Sequence, residues 1–526
     1  MAEWQKRLHP DELLASLDNL WRYYPALLYG LCLLIGMTAA FVGFGLLSPL
    51  FFFLFLPLLA AWPLGHRSLV GRLLLGLFVL VAGFFYVRWA APPPLSEEVE
   101  VQQGEAMLAI EALVPDRYQG HYSYRGVLHS WHGEGQRYAL ATSAPVLVVA
   151  RYPIAKEPSD LYGCYWLAKG SLSSSRWPWQ WQLRLSRSSP PQPATWRRWS
   201  GWLCQWRDAM ELRLHQFIDR RYISLRSRQL LSGLLLGRFD EGGLWRSFAR
   251  FGLQHLLAIS GFHFSLLAFF MGIALSLVIP SQKWRALCLL GSMSLYLLSL
   301  GASSSVLRAF CSLALASASP LIRRKSAALN SLGVGLLAVL LFQPFWIGSI
   351  GFQCTFLITA ALLLFVDKAD RLLQPLARAR LFPALLEWHP VEQGVYLLAS
   401  WLRQAIALAL AVDLVAFPLL LFHFGFVPLL SSFYNLFFPA LIAAALFAFA
   451  IALLVELAFP PLAPLLHGLN DYFVHYSVGL AADGPAYLDW DYQLTALAPW
   501  MLILYLTLLF GFGLFFLDRR YRDSIC

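Results

Sequence analysis

Long unbroken apolar runs constrain this chain more than anything else in its sequence. They fall near residues 26–45, 48–64, 72–90, 255–279, 286–302, 303–319, 327–343, 345–366, 402–424, 436–459 and 497–517, about eleven in all. Crossing the hydrocarbon of a bilayer takes roughly 20 apolar residues in a helix. Lipid offers no partner for an open backbone N–H or C=O, so such a run must close its hydrogen bonds on itself. The runs therefore predict membrane-spanning helices. Composition agrees: 58% of the 526 residues are hydrophobic, 13% are charged, and the mean hydropathy is +0.58. This excludes an ordinary soluble domain and predicts a polytopic α-helical membrane protein with re-entrant elements. The first 25 residues mix Glu3, Lys6, Arg7, Asp11, Glu12, Asp18 and Arg22 with no cleavage-site pattern, so the first run is expected to stay as a span.

Lys and Arg in short loops predict the orientation. Arg67 and Arg72, Lys283 and Arg285, Arg323, Arg324 and Lys325, and Arg519, Arg520 and Arg522 all belong on the cytoplasmic side. Both termini are then inside and residues 91–222 outside. The count of crossings fails by one after residue 401. A broken or re-entrant segment near 426–440 repairs it, and Pro428, Asn435 and Pro439 interrupt the apolar pattern there.

Residues 91–195 have a different texture. Prolines at 92–94 open the segment and prolines at 190, 191 and 193 close it. Between them run alternating stretches such as Tyr122–His129, Arg137–Thr142, Val146–Ala150 and Trp179–Leu185. Period-two alternation punctuated by Gly, Pro and Ser predicts a small all-β domain of five or six short strands. An OB-type barrel fits that description. Such barrels bind single strands by stacking bases on aromatics beside positive charge. Tyr118, Tyr122, Tyr124, Arg125, Trp131, Arg137 and Arg151 are candidates for that role. The competing reading is that the aromatics fill the barrel or face the membrane surface. His129 and His132 fall on opposite faces of a strand, which argues against a metal site. No cofactor is expected. Cys32, Cys288, Cys311 and Cys354 lie in apolar runs and are expected as small core residues, whereas Cys164 and Cys204 lie outside, where a disulfide is permitted.

From 196 to 228 the pattern becomes helical. Trp196, Trp199, Leu203, Trp206, Met210 and Leu214 form one apolar stripe, with Arg197, Arg198, Arg207, Arg213, Arg220 and Arg221 around it. This predicts an amphipathic helix in the interface, its arginines facing membrane lipids or a polyanion. Next, Leu231–Gly237 is apolar but too short to span and is followed by Arg238, Asp240 and Glu241. It is expected to be re-entrant or interfacial.

Polar groups at membrane depth mark function by default, because they persist only where they face protein or water. His255-Leu-Leu-Ala-Ile-Ser-Gly-Phe-His263 opens one run, with Ser260 and Gly261 inside it. It is either a polar, loosened entrance to a path or simply the capped start of a helix. Arg308 and Asp413 are the clearest charges within runs, and Gln353 and Asn435 add polar sites. Arg308 either faces a wet path or pairs with Asp413 as an internal strut. No nucleophile, base and orienting acid occur with interpretable spacing, so no enzymatic activity is expected. No Walker motif is present.

Taken in order, several of these strings resemble the ComEC family of competence proteins. The resemblance rests on Gly233–Arg238, Phe251–His263, Ser303–Ala309, Ile350–Phe356, Phe417–Gly425 and Pro428–Asn435 with Pro439. It implies a channel that carries single-stranded DNA across the bacterial inner membrane during natural transformation. It also implies a division into a three-span segment over 1–90, an OB-like domain over 91–195, the interfacial helix over 196–228 and the channel domain over 229–526. His255, Ser260, Gly261, His263, Arg308, Gln353, Asp413 and Asn435 are then the residues expected along the DNA path. Implied partners are a periplasmic DNA receptor, a separate nuclease, and a cytoplasmic motor or single-strand-binding protein. The chain departs from the family in two ways. It ends at Cys526 without the metallo-β-lactamase-like domain that family members often carry, so a short form is expected. It also has Asp413 where an uncharged polar residue is usual. The alternatives are an integral-membrane enzyme acting on an extracytoplasmic polymer, and a membrane assembly scaffold.

Overall fold

The computed structural model describes residues 18–41, 69–90, 102–114, 122–133, 136–150, 154, 164–174, 181–186, 191–197, 201–236, 248, 251–253, 260–301, 303–322, 327–375, 389–428, 431–483, 491–493 and 497–523. Ten of the eleven apolar runs coincide with helices, and the run at 48–64 lies outside the described residues. The helices are α1 (Pro25–Phe41), α2 (Leu69–Ala90), α3 (Gly201–Arg221), α4 (Leu225–Leu236), α5 (Gly261–Val278), α6 (Gln282–Leu300), α7 (Ser304–Ile322), α8 (Ala328–Phe342), α9 (Ile350–Leu372), α10 (Pro390–Phe424), α11 (Ser431–Ala458), α12 (Ala463–Ala482) and α13 (Pro499–Asp523). Among the described residues, five stretches are long and apolar enough to cross a membrane: Leu69–Trp89, Gly261–Val278, Ile350–Leu372, Pro390–Phe424 and Ser431–Ala458. The chain is a membrane protein built mainly of helices.

Helix α10 starts twelve residues before the apolar run it contains, which begins at 402. A local signal explains the extension. His389 caps the helix, Glu392 closes the reciprocal capping box onto the His389 backbone, and Pro390 occupies the first helical position. The break expected over 426–440 is shorter than the sequence suggested. A strand, β7 (Phe426–Pro428), pairs antiparallel with β8 (Asp491–Gln493), and α11 then runs continuously from Ser431 through Asn435 and Pro439. Proline in such a helix loses one backbone donor, and neighbouring helices accommodate the gap.

Between α2 and α3 lies the β domain: β1 (Gln102–Val114), β2 (Tyr122–Gly133), β3 (Gln136–Ala150), β4 (Cys164–Ser174), β5 (Trp181–Leu185) and β6 (Gln192–Arg197). The strands are longer than expected, up to 15 residues in β3. Five of them close a ring in the order β1-β2-β3-β5-β4-β1, with β3 and β5 parallel, and β6 pairs with β4. Closure removes the exposed edges an open sheet would leave. Side chains that alternate inward fill the ring, among them Leu108, Ile110, Leu128, Val146, Val148, Trp166 and Leu183.

Of the two readings open for Tyr124 and Trp131, stacking on bases or filling the barrel, the structure shows the second. They are 2% and 1% exposed, and the Tyr124 hydroxyl accepts a hydrogen bond from the Ile154 amide. Seven residues apart, they would face opposite sides of an unbroken strand; the bulge at His129 turns both inward. Trp196 and Arg197 close β6 and do not open the helix, which starts at Gly201. The apolar stripe of α3 also differs from the expected one. Met210 is exposed, and the inward face runs through Leu214, Phe217, Ile218 and Tyr222. Helix α4 is the short apolar element expected after 231, and it is buried against α11 and α12. Cys288 is exposed on the outside of α6, contrary to the expected core position, while Cys32, Cys311 and Cys354 are half-buried. The side chains of Cys164 and Cys204 lie outside those described.

Close helix contact organises the first membrane layer. The Asn330 side chain of α8 accepts from the Ala26 amide at 3.3 Å and donates to the Tyr23 carbonyl at 2.7 Å, satisfying groups at the start of α1. Beside it, Gly333 lets α8 touch the backbone of Ala26 and Leu27, where a Cβ would clash. Gly333→Ala should therefore destabilise the protein by about 1–3 kcal/mol through overpacking. Gly291→Ala on α6, where a Cβ meets nothing within 4 Å, should not. Thermal unfolding of the two purified variants tests this. Equal melting temperatures would mean that α1 and α8 do not meet as described.

Candidate functional site

Helix α5 opens with Ser260 as its cap. The Ser260 hydroxyl accepts from the His263 amide at 3.3 Å, and the His263 ring nitrogen Nδ1 accepts from the Ser260 amide at 3.5 Å. This reciprocal capping box is what the Ser-Gly-Phe-His spacing encodes locally. His263 is buried, and His255 lies outside the described residues. Helix start and polar site coincide here, because Gly261 faces the arginine of α7. An ideal Cβ on Gly261 would lie 2.6 Å from Arg308 Nη2, and one on Gly335 of α8 would lie 3.3 Å from Arg308 Cγ. Two glycines from different helices thus leave the slot that a long guanidinium side chain needs. From inside that slot, Arg308 Nε donates to Thr355 Oγ1 of α9 at 2.8 Å.

Asp413 lies elsewhere. Its carboxylate accepts from the Ser432 hydroxyl in the first turn of α11. The expected alternative in which Arg308 and Asp413 form a strut is therefore overturned: each has a different neutral partner on a different helix. Gln353 joins α9 to α10, its Oε1 accepting from His423 Nε2 at 2.8 Å and its amide donating to the Ile347 carbonyl at 3.2 Å. Asn435 sits one turn after Ser432, with Oδ1 buried and without a hydrogen-bond partner among the described residues.

Ser260, Gly261, His263 and Arg308 thus come together. Gln353 is two residues from Thr355 on α9, and α10 carries both His423 and Asp413. Three separate polar contacts thus tie α7 to α9, α9 to α10 and α10 to α11, the last two roughly 15 Å apart along α10. Thr355, Gly335, His423 and Ser432 carry no separate signal in the sequence; Thr355, His423 and Ser432 stand inside the strings given above, and Gly335 stands in none.

A second polar cluster escaped the sequence reading entirely. On α12, His467, Asn470, Asp471 and His475 recur every three or four residues and share one face. Asn470 Nδ2 donates to Tyr222 Oη at 2.9 Å, so Tyr222 donates its own proton to His467 Nδ1 at 3.2 Å. His467 Nε2 then donates to Glu456 at 3.2 Å, and the same carboxylate takes two N–H groups of Arg221. Burial pushes the His467 imidazole below its usual range and the Tyr222 phenol up to about 12, so both stay neutral in this relay. Asp471 accepts from the Ile223 and Ser224 amides at 2.8 and 3.2 Å, capping α4 from another helix, and Ser224 bonds His475 at 2.8 Å. The signal was legible as a polar face, but α12 is too polar to register among the apolar runs.

On the β domain, Tyr122 and Arg125 of β2 and Arg184 of β5 are exposed. Arg137 lies on β3, and Tyr118 and Arg151 lie outside the described residues.

A family model described as Competence protein matches residues 241–520. Over 127 residues the chain is 32% identical to ComE operon protein 3 of Bacillus subtilis (strain 168). That alignment spans 24% of this chain and 16% of that relative, well short of two thirds of its length. No solved structure matches the chain.

Separate partners for Arg308 and Asp413 have a thermodynamic signature. Stability losses from Arg308→Ala and Asp413→Asn should add in the double variant to within about 0.5 kcal/mol. Unfolding of the single and double variants in detergent measures the coupling. A clearly smaller loss in the double variant would restore the strut.

Proposed function

Because the chain belongs to the competence protein family, we propose that it passes single-stranded DNA across the bacterial inner membrane during natural transformation. The observation that carries this reading is the Arg308 slot. A guanidinium set among apolar helices is costly, and among the described residues Arg308 makes one hydrogen bond, from Nε to the neutral Thr355 hydroxyl. Its remaining N–H groups suit a phosphate passing beside it. The site offers positive charge and hydrogen bonds without a reactive group, and the protein acts as a conduit with no chemical step of its own.

The chain crosses the membrane several times in this reading, with the β domain and α3 outside. Ser432 meets Asp413, eleven residues before the end of α10. That contact supports a chain that turns back beside α10 as α11 begins. The strand order of the closed ring supports an OB-type domain. Tyr122, Arg125 and Arg184 are its exposed candidates for contact with unpaired bases and phosphates. A periplasmic receptor, a separate nuclease and a cytoplasmic motor or single-strand-binding protein complete the proposed machinery.

Two measurements test this. Arg308→Ala should leave membrane insertion and external DNA capture intact while lowering arrival of DNA in the cytosol roughly 10- to 100-fold, with Arg308→Lys between the two. Transformation at the normal level by a normally expressed Arg308→Ala variant would remove the slot from the path. Separately, the purified full chain should bind a labelled oligo-dT with an affinity that falls as salt rises, and Tyr122→Ser with Arg125→Ser should weaken that binding. Binding indifferent to both salt and these substitutions would make the β domain a spacer.

A further inference from the structure

Helix α12 turns its polar side inward. His467, Asn470, Asp471 and His475 all bond to residues 222–224, the joint between α3 and α4. The first three are buried. On the opposite side, Leu465, Leu469, Tyr472, Tyr476 and Leu480 recur at steps of three or four residues and form one stripe along the helix. These side chains are between 56% and 67% exposed. Between residues 463 and 482 the sequence has no Glu, Lys or Arg, and its single Asp, Asp471, is buried. The exposed face of α12 therefore carries no carboxylate, ammonium or guanidinium. Gly468 lies on the same side, and an ideal Cβ there meets nothing within 4 Å.

The neighbouring α3 shows what a wet face of this molecule looks like. Its exposed residues mix Leu212 with Arg213, Gln216, Asp219 and Arg220. A helix in water keeps its apolar stripe for the core and its charges for the solvent. Helix α3 follows that rule and α12 reverses it. Reversal is expected where the surroundings are hydrocarbon, because polar groups must then face protein. The stripe also continues a surface that already belongs to the membrane. Helix α11 is long and apolar enough to cross a bilayer, and it packs on α12 through Ala445, Phe449, Val474 and Val478. In the turns leading to α12 it exposes Phe447, Ile451, Leu454 and Leu457, and Phe459 and Leu462, both exposed, carry the apolar surface across the connection. Tyr472 and Tyr476, with ring centroids 4.3 Å apart, add an aromatic pair to the stripe. Such amphipathic rings concentrate where hydrocarbon meets headgroups.

We propose that α12 is an interfacial lipid-binding helix, with acyl chains covering its stripe from Leu465 to Leu480. An ordinary interfacial helix buries its apolar face in lipid and leaves its polar face to water. Here α3 and α4 take the place of that water, and the joint at 222–224 supplies the hydrogen bonds. The assignment concerns how the protein sits in the bilayer, and it holds or fails independently of DNA passage.

Spin labelling of the full chain reads the surroundings directly. The chain is placed in nanodiscs of phosphatidylethanolamine and phosphatidylglycerol, with its seven native cysteines replaced by alanine. Labels on Gly468→Cys, Tyr472→Cys and Tyr476→Cys should collide more with dissolved oxygen than with a water-soluble nickel chelate. A reference label on Phe447→Cys of α11 should do the same, and one on Gln103→Cys, exposed on the β domain, should show the reverse. Collisions on α12 dominated by the chelate would put the stripe in water. Labels shielded from both reagents would put protein on it. Either result overturns the lipid assignment. Should the cysteine-free chain fail to fold, melting temperatures in the native background decide. In the same nanodiscs Leu469→Asp should melt several degrees below Leu469→Asn, because hydrocarbon opposes the carboxylate and water does not. Matching melting temperatures would overturn the proposal.

Discussion

A polar group inside hydrocarbon has no solvent to fall back on, and every other feature of this molecule answers to that constraint. It turns the apolar runs into helices, since a helix closes its backbone hydrogen bonds internally. It also decides where side chains go. Arg308 reaches Thr355, Gln353 reaches His423, and Asp413 reaches Ser432. Each contact joins two different helices, so satisfying the group also fixes how the helices sit. These contacts hold the bundle together, and in the proposed reading they also border the path for DNA.

Such an arrangement places unusual weight on residues with no side chain. Gly261 and Gly335 do nothing chemical, yet a Cβ at Gly261 would press on the guanidinium and one at Gly335 would crowd its stem. The same economy appears at Gly333, where two backbones come into contact. Interfaces between membrane helices gain from close backbone approach because lipid supplies no hydrophobic drive between them.

The membrane class, the positions of ten helices and the location of a closed β domain were legible in the sequence, because each rests on a periodicity of hydrophobic residues. The capping box at Ser260 and His263 was legible too, as one of two readings of the same string. Partnership was not. Nothing in the spacing of Arg308 and Asp413 says that their partners are a threonine and a serine, since contact between helices depends on their rotation and depth. For Tyr124 and Trp131 two readings stayed open for a simpler reason. A strand has two faces, and composition does not say which one is wet. Helix α12 was missed because its polar face serves α3 and α4, so its apolar content stays too low to resemble a span. The early start of α10 was written in the His389-Pro390-Val391-Glu392 signal, which hydropathy does not weigh.

The Asn330 contact with the first turn of α1 has a consequence in time. Its two ends are 304 residues apart in the chain. At a synthesis rate of roughly 5 to 20 residues per second, Ala26 emerges some 15 to 60 seconds before Asn330 exists. For that interval the start of α1 lacks its Asn330 partner. Ribosome, translocon or lipid headgroups must shelter it until α8 arrives. The start of α1 is thus completed only when α8 has been made, and a pause in translation between residues 41 and 328 would prolong its unsealed state.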